Sequence, residues 1–116
     1  MMRTIVAGGR EFKPSALWLA RVALALHKLG TTVVISGTCR GADLFGEAIA
    51  DLVGLPIERF PADWKGQGRA AGHVRNAEMA QQADSLVLLP GGPGTASMAG
   101  YAAKAGLRVI DLSDRS

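Results

Sequence analysis

The alternation of short apolar strands with amphipathic helices constrains the fold of this chain more than any other feature. Two segments, Thr32–Ser36 and Ser85–Leu89, are almost continuously apolar, which is typical of strands covered on both faces in a parallel sheet. Because parallel strands joined by helices form right-handed βαβ units, the pattern predicts a single Rossmann-like α/β three-layer sandwich, with about five parallel strands and helices on both faces. The predicted strands are Thr4–Ala7, Thr32–Ser36, Pro56–Phe60, Ser85–Leu89 and Arg108–Leu112, and the predicted helices are Ser15–Leu29, Ala42–Val53, Ala71–Ala83 and Thr95–Ala105.

The length and composition fit one globular domain over residues 1–116. Hydrophobic residues make up 48% of the chain and charged residues 20%, which excludes a disordered composition. The single cysteine, Cys39, excludes an internal disulfide and a cysteine-based zinc site, and we expect neither a metal nor a cofactor. No stretch approaches the roughly 18 consecutive apolar residues of a membrane span, and the N-terminus is too poor in apolar residues for a signal peptide. The sequence therefore predicts a cytoplasmic protein without a membrane partner.

Glycine-rich turns follow three of the predicted strands, at the edge where parallel α/β sheets bind ligands. Glycine lets backbone amides approach an anion closely, and each turn opens a helix whose N-terminal dipole favours phosphate or carboxylate. Three such turns on one edge predict a phosphorylated ligand. The residues are Gly8, Gly9 and Arg10 after the first strand, Ser36, Gly37, Arg40 and Gly41 after the second, and Gly91, Gly92, Gly94 and Thr95 after the fourth.

The common nucleotide-binding motifs are absent. The chain lacks the G-x-x-x-x-G-K-[ST] motif of P-loop NTPases, and its first strand does not end in the G-x-G-x-x-G motif of dinucleotide dehydrogenases. No elbow signature marks a Ser–His–acid or Cys–His pairing, although spacing alone does not exclude a spatial triad. The formal charge of +3 and the pI of about 9.5 mildly favour an anionic partner without identifying it.

Five short motifs follow one another over nearly the whole chain. They are AGGREF (Ala7–Phe12), SGTCRGAD (Ser36–Asp43), FPADW (Phe60–Trp64), AGHVRNAEM (Ala71–Met79) and PGGPGTASM (Pro90–Met98). Together they resemble the SLOG superfamily, the Rossmann-like fold shared by the Lonely Guy phosphoribohydrolases and the DNA-processing protein DprA. The resemblance is strongest to its YspA/YpsA-like branch. It implies that a nucleotide or nucleotide-derived ligand binds at the glycine-rich edge.

The resemblance points to two elements that would hold phosphate. The residues that match the superfamily's PGG-x-GT signature, which cradles phosphate through backbone amides and a threonine hydroxyl, are Gly91, Gly92, Gly94 and Thr95. Arg75 matches an arginine of the Lonely Guy enzymes, whose planar guanidinium can hold a phosphate bidentately. The alternative role of Arg75 is that of a solvated helix residue. We expect His73 to lie at the surface and Cys39 to be an incidental loop thiol.

The remaining candidates would contact the base or the ribose. Asp43 would accept a ribose hydroxyl, or it caps its own helix. Asp63 offers an acceptor and Trp64 a flat face for stacking a base, unless Trp64 forms a core lid. Asn76 would bond to the ligand or to neighbouring backbone. Arg10, which follows Gly8 and Gly9 at the first crossover, would rest near a base or ribose or remain an exposed loop charge.

A methionine stands where the Lonely Guy hydrolases carry a glutamate. Those enzymes read PGG-x-GT-x-x-E, and the glutamate helps to cleave the N-glycosidic bond of a nucleoside monophosphate; here the position is Met98. The cleavage passes through an oxocarbenium-like state that a carboxylate stabilises and a methionine cannot. We therefore favour a module that binds or senses a nucleotide-derived small molecule over an enzyme.

Two alternatives stay open. The first is a phosphoribohydrolase-like N-glycosidic hydrolase that uses another group, with Asp43, Asp63 and Arg75 as candidate catalytic residues. The second is a DprA-like binder of single-stranded DNA, which the basic pI suggests. Stacking platforms for bases are sparse, since aromatic residues make up only 5% of the chain, so nucleic acid is the less favoured partner.

The final predicted helix is apolar nearly all round. From residue 96 onward, only Ser97 and Lys104 interrupt its apolar side chains. Such a helix normally has more than one face covered, which predicts a homo-oligomer, with a dimer favoured. The alternative is that alanine tolerates exposure to solvent.

Overall fold

The fold is a parallel sheet with helices on both faces, seen in a computed structural model that describes residues 1–113. Strands and helices alternate along these residues, apart from one short helical segment between the third strand and the next long helix. The strands are β1 (Arg3–Ala7), β2 (Val33–Ser36), β3 (Ile57–Arg59), β4 (Ser85–Leu88) and β5 (Arg108–Asp111). The helices are α1 (Ala16–Leu29), α2 (Ala42–Val53), α3 (Trp64–Gln67), α4 (Ala71–Gln82) and α5 (Pro93–Ala105), with a 3₁₀ turn at Gly68–Ala70.

The five strands pair in the order β3-β2-β1-β4-β5, and all four pairings are parallel. Ile5 in the central strand lies opposite Ile35 on one side and Leu86 on the other. The chain leaves β1 towards β2 and later returns to β4 on the other side of β1. Because the strand order reverses between β1 and β4, a crevice opens beyond their carboxyl ends. The predicted α/β fold is confirmed.

Alternate residues of the central strands build two separate cores. Val6, Val34 and Val87 face α1 and α2, while their neighbours Ile5 and Ile35, with Leu86, face α4 and α5. Side chains alternate between the two faces of a strand, so a continuously apolar strand has partners on both faces only if helices cover both. The near-continuous apolar runs in the sequence are explained by this three-layer packing.

Helix α1 begins and ends where its sequence signals predict. The Ser15 hydroxyl accepts a hydrogen bond from the Trp18 amide at 3.1 Å, which satisfies one of the free amides of the first turn. At the other end Gly30 adopts a left-handed conformation with φ 68°, which favours glycine because it has no Cβ. The serine cap and the glycine stop hold the helix in register against the sheet.

The segment between β3 and α4 departs from the prediction. It forms α3 and the 3₁₀ turn, whereas the sequence pattern predicts no helix there. The stretch Trp64–Ala70 contains two glycines and no apolar stripe, so its helical propensity is low. Its start is stabilised locally, because the Asp63 carboxylate accepts a hydrogen bond from the Gly66 amide at 2.9 Å.

No helix within residues 1–113 is both long enough and apolar enough to cross a membrane.

Candidate functional site

A cavity of about 370 Å³ opens at the carboxyl edge of the sheet, where the strand order reverses. Its wall combines the loops after β1, β2 and β4 with the N-terminal halves of α4 and α5. Most of the residues predicted to bind ligand lie in this wall. These are Gly8, Gly9, Arg10, Asp43, Trp64, Arg75, Asn76, Gly92, Gly94 and Thr95.

Main-chain hydrogen bonds join the glycine-rich loops to one another. The Gly9 amide donates to the carbonyl of Pro90 at 2.8 Å, and the Gly9 carbonyl accepts from the Ala42 amide at 3.1 Å. Gly41 has a φ of 81°, and a Cβ on it would lie 2.4 Å from the Gly9 carbonyl oxygen. The first loop is therefore bonded on one side to the loop after β4 and on the other to the start of α2.

The N-terminus of α5 faces the cavity without a side-chain cap. Gly92 occupies the cap position, Pro93 begins the helix, and no side chain bonds to the free amides of the first turn. A Cβ on Gly91 would lie 2.0 Å from the Thr95 hydroxyl and 2.6 Å from the Gly9 amide nitrogen, so the turn can close only around a glycine. Uncapped amides and the helix dipole together favour an anion at this position.

Arg75 of α4 is fixed between the ends of β2 and β3. Its Nη1 atom donates to the carbonyl of Gly37 and lies 3.5 Å from that of Phe60. Its Nε atom donates to the Asn76 side-chain oxygen at 2.9 Å, and its Nη2 atom lies 3.9 Å from the Cys39 sulfur. The hydrogen-bond partners of the guanidinium are neutral, and its attraction to the nearby Asp43 carboxyl involves no hydrogen bond among the described residues.

Asn76 extends this arrangement to the first turn of α5. The Arg75 Nε atom can only donate, so the Asn76 oxygen must face it, and the Asn76 Nδ2 atom then donates to the Gly94 carbonyl at 3.3 Å. The side chain of Asn76 is buried and thereby connects α4 to the helix N-terminus. Its alternative role as a partner of neighbouring backbone is thus observed, in a residue that also lines the cavity.

Asp43 lies in the cavity wall with its side chain only 8% exposed. Its Oδ2 atom accepts a hydrogen bond from the Cys39 amide at 3.1 Å, which stabilises the loop before α2. Burial raises the pKa of the Asp43 carboxyl to about 6, an increase that the Cys39 amide and the Arg75 guanidinium partly offset. The carboxyl therefore titrates within the range in which it can accept or donate a proton near neutral pH.

Trp64 and Arg10 form the outer part of the wall. The Arg10 guanidinium lies 5.5 Å from the centroid of the Trp64 ring, within the range of a cation–π contact. Trp64 is 46% exposed at the start of α3, so part of its ring is accessible from outside. Trp64 does not belong to either apolar core, which removes the alternative of a core lid.

Six predicted site residues do not line this cavity and instead shape the loops around it. Ser36 donates to the Glu47 carboxylate at 2.6 Å and accepts from the Thr38 amide, and Asp63 caps α3. The Arg40 guanidinium pairs with Glu11 at 2.6 Å on the surface. The other three residues are Gly37, Gly41 and Gly91, at each of which a Cβ would meet another part of the site at less than 3.0 Å.

Two polar residues of the wall, Arg69 and His73, were not among the predicted ligand-binding residues. Arg69 lines the cavity from the 3₁₀ turn, whose existence the sequence pattern does not indicate. His73 also lines it, and its Nδ1 atom lies 2.8 Å from the Ser97 hydroxyl of α5. His73 is exposed, as expected, but it lines the cavity from the first turn of α4.

The cavity floor contains Met98, whose side chain is 1% exposed. A thioether offers neither a proton nor a negative charge, so this part of the wall contributes shape alone. Across residues 1–113, no three side chains of His, Cys, Asp or Glu come together in a group that could hold a metal ion.

The fold and the site define a Rossmann-like domain with a glycine-lined cavity at its strand-order reversal. The profile of the YspA, cpYpsA-related SLOG family matches residues 2–66, more than half of the chain. The chain belongs to this family, which confirms the resemblance seen in the sequence motifs.

Two known proteins are similar over nearly the whole chain. The Gene 61 protein of Mycobacterium phage D29 is 32% identical over 124 residues, which cover 99% of this chain and 99% of that protein. The X-ray structure of TM1055, a structural genomics target, superposes with a TM-score of 0.72 and covers 95% of this chain and 73% of that one. At 20% identity, the similarity to TM1055 establishes the shared fold alone.

Proposed function

We propose that this chain binds a nucleotide or nucleotide-derived ligand, with a phosphate at the N-terminus of α5. The observation that carries the proposal is that the uncapped α5 amides and the Arg75 guanidinium open into one cavity. Arg10 and Arg69 add positive charge, while Asp43 is the single acidic side chain among the cavity-lining residues of the described chain. This charge balance suits a small anion, and membership of a SLOG family agrees with a nucleotide-related function.

The other wall residues suit the remaining parts of a nucleotide. The Asp43 carboxyl would accept a hydrogen bond from a ribose hydroxyl, and the accessible part of the Trp64 ring would stack on a base. The cavity volume of about 370 Å³ lies in the usual range of small-molecule sites. A site of this kind serves a binding or sensing module, because Met98 contributes no charge to a reaction at the cavity floor.

The phosphate site is tested by placing a negative charge in it. Gly94 lines the cavity and Gly100 lies further along the same helix; a Cβ at either position meets nothing within 4 Å, so both variants should fold. We expect Gly94→Glu to weaken binding of the best-bound mononucleotide by about tenfold or more, because the carboxylate repels the phosphate. Gly100→Glu introduces the same charge away from the cavity and should change the affinity by less than about twofold.

Isothermal titration calorimetry with AMP, GMP, CMP and UMP provides the measurement for both variants and the unmodified chain. Mass spectrometry of small molecules that co-purify with the protein extends it to ligands outside this set. The proposal fails if no nucleotide binds or co-purifies, or if Gly94→Glu and Gly100→Glu bind equally well.

A second candidate function is hydrolysis of an N-glycosidic bond, and one observation favours it. Asp43 places a carboxyl with a pKa of about 6 in the cavity, where it could stabilise an oxocarbenium-like state in place of the missing glutamate. Incubation of the protein with each mononucleotide should then release free base, and Asp43→Asn should lose this turnover while retaining affinity. Absence of free base with a bound nucleotide leaves binding as the function.

We also propose that the chain forms a homodimer through the outer face of α1 and α2. The exposed charged side chains of these helices differ in sign, since Lys28 of α1 is basic and Asp51 of α2 is acidic. Both helices also expose large apolar side chains, at Leu17, Leu24, Leu44 and Leu52. A two-fold axis that sets α1 against the α2 of a second copy would pair opposite charges and cover these leucines.

Helix α5 offers a weaker basis for a dimer. Its outward residues include Ala96, Gly100 and Ala103, which leave little apolar area to cover. Its buried side chains, Met98 and Ala102, pack in the core against the sheet and α4. Exposure of small residues thus accounts for much of its apolar composition.

A further inference from the structure

A second cavity of about 450 Å³ lies beside the first, over the carboxyl ends of β2 and β3. The two cavities share three lining residues, Arg10, Cys39 and Trp64. The first cavity is near the lower end of the 300–1,000 Å³ range of small-molecule sites, and the two together approach its upper part. A ligand larger than a mononucleotide could therefore extend from one into the other.

The wall of the second cavity is positively charged. Within the described residues it contains Arg10 and Arg40 and no acidic side chain. The Arg40 guanidinium pairs with the Glu11 carboxylate, but these side chains are 70% and 86% exposed. A surface ion pair of this kind contributes little to stability, so Arg40 can exchange Glu11 for an anionic group of a ligand at small cost.

Two side chains at the boundary between the cavities suit different parts of a ligand. The Arg10 guanidinium lies over the Trp64 ring, and both side chains face both cavities. A guanidinium suits a phosphate that bridges the two spaces, and the ring suits a base or a sugar face beside it. A ligand with an anionic centre and a group on either side would match this order of contacts.

We infer that the site takes a diphosphate-linked nucleotide conjugate, in which a second sugar or nucleotide extends from the phosphate of the first. The first nucleotide occupies the cavity at α5, the diphosphate passes Arg10, and the second half lies in the cavity beside Arg40. This inference rests on the proposed function, since it assumes that the first cavity binds a nucleotide. It adds the substrate class and assigns Arg40 and Arg10 to the second half.

Matched ligands test the inference. AMP is compared with diadenosine diphosphate, and GMP with diguanosine diphosphate, by isothermal titration calorimetry on the full chain. We expect at least one dinucleotide to bind about tenfold or more tightly than its mononucleotide, because it adds charge-assisted hydrogen bonds in the second cavity.

The variant Arg40→Gln tests whether the additional affinity for the dinucleotide comes from the second cavity. We expect this variant to weaken the dinucleotide by about fivefold or more and to change the affinity of the mononucleotide by less than about twofold. Arg108→Gln is the control, because it removes one positive charge from an exposed position of β5, outside both cavities. It should leave both affinities within about twofold of the unmodified chain.

The outcomes separate the two proposals. If a mononucleotide binds but its dinucleotide binds no more tightly, or if Arg40→Gln weakens both ligands equally, the inference is wrong and the proposed function stands. If none of the four ligands binds, the inference fails together with this form of the proposed function. Tighter dinucleotide binding that Arg40→Gln selectively reduces supports the inference.

Discussion

Single residues at this site combine structural and chemical roles that a sequence motif cannot separate. Asp43 accepts the Cys39 amide and also lines the cavity, so its role in the loop does not exclude a role toward a ligand. A Cβ on Gly37 would lie 2.6 Å from the Arg75 Nη1 atom and 2.7 Å from the Asp43 Oδ2 atom. A glycine is thus required where the guanidinium and the carboxyl both approach the position that a Cβ of residue 37 would occupy.

The buried carboxyl of Asp43 gives stability a defined dependence on pH. Its folded pKa of about 6 exceeds the ordinary value of 3.8, so its neutral form stabilises the fold below pH 3.8 and that stability is lost as the pH rises through 6. Asp43→Asn keeps an acceptor for the Cys39 amide and never ionises. Relative to the unmodified chain, the variant should gain about 1–3 kcal/mol of unfolding free energy between pH 4 and pH 7.5.

Urea denaturation at the two pH values measures this difference, and a pH-independent difference would contradict the prediction. Asp111→Asn is a control of opposite sign. The Ser113 hydroxyl and amide lower the pKa of Asp111, so its charged form contributes stability that is lost only as the pH falls below its usual range. From pH 7.5 to pH 4, the stability of Asp111→Asn relative to the unmodified chain should therefore rise slightly, whereas that of Asp43→Asn should fall.

At the scale of secondary structure, the sequence predicts elements wherever periodicity and end signals agree. The core strands are largely apolar and α1 has both a serine cap and a glycine stop, so their types and approximate ends are predictable. The segment Trp64–Ala70 has no apolar periodicity, and the Asp63 cap stabilises its start. The position of Arg69 in the cavity wall depends on this segment, which the periodicity of the sequence does not reveal.

Only some of the side chains that line the cavity can be predicted from the sequence. Residues directly after strands must lie at one edge of a parallel sheet, so Gly9, Arg10 and the α5 loop could be assigned from topology. The hydrogen-bond partners of Arg75 could not be assigned in this way, because Gly37 and Phe60 follow two different strands and reach Arg75 only through tertiary packing. The same holds for the contact between His73 and Ser97, which joins two helices.

The turn before α5 provides a prediction at this scale. Gly91→Ala should lower the free energy of unfolding by about 1–3 kcal/mol, because its Cβ would meet the Gly9 backbone and the Thr95 side chain. Gly94→Ala, in the same turn, places its Cβ in open space and should be neutral or slightly stabilising. Thermal or urea denaturation of the two variants measures the contrast, and equal stabilities would show that the turn accommodates a side chain at position 91.

At the scale of the whole molecule, α1 and α2 cover one face of the sheet with charges of opposite sign on adjacent helices. The outward side chains Lys28 of α1 and Asp51 of α2 are both exposed. In a monomer the four exposed leucines of α1 and α2 would have no partners. In a two-fold dimer the basic α1 of each copy would face the acidic α2 of the other. The charges would thus also determine which helices pair across the interface.

Charge reversal tests the dimer. Lys28→Glu should weaken association by about tenfold or more, because it sets like charges against the acidic α2 of the second copy, and the double variant Lys28→Glu/Asp51→Lys should restore it. Size-exclusion chromatography with light scattering measures the mass as a function of protein concentration. A monomeric unmodified chain would overturn the proposal, as would a double variant no better associated than the single one.

The main-chain hydrogen bonds of Gly9 fix the shape of the site independently of the side chains that determine its chemistry. Since backbone groups and glycines hold the three loops together, exchange of Arg10, Trp64 or His73 for other side chains leaves those bonds in place. Ligand preference can therefore change during evolution without loss of the loop framework. Related chains with the same glycines and a different set of wall residues would be expected to share the pocket outline while selecting other ligands.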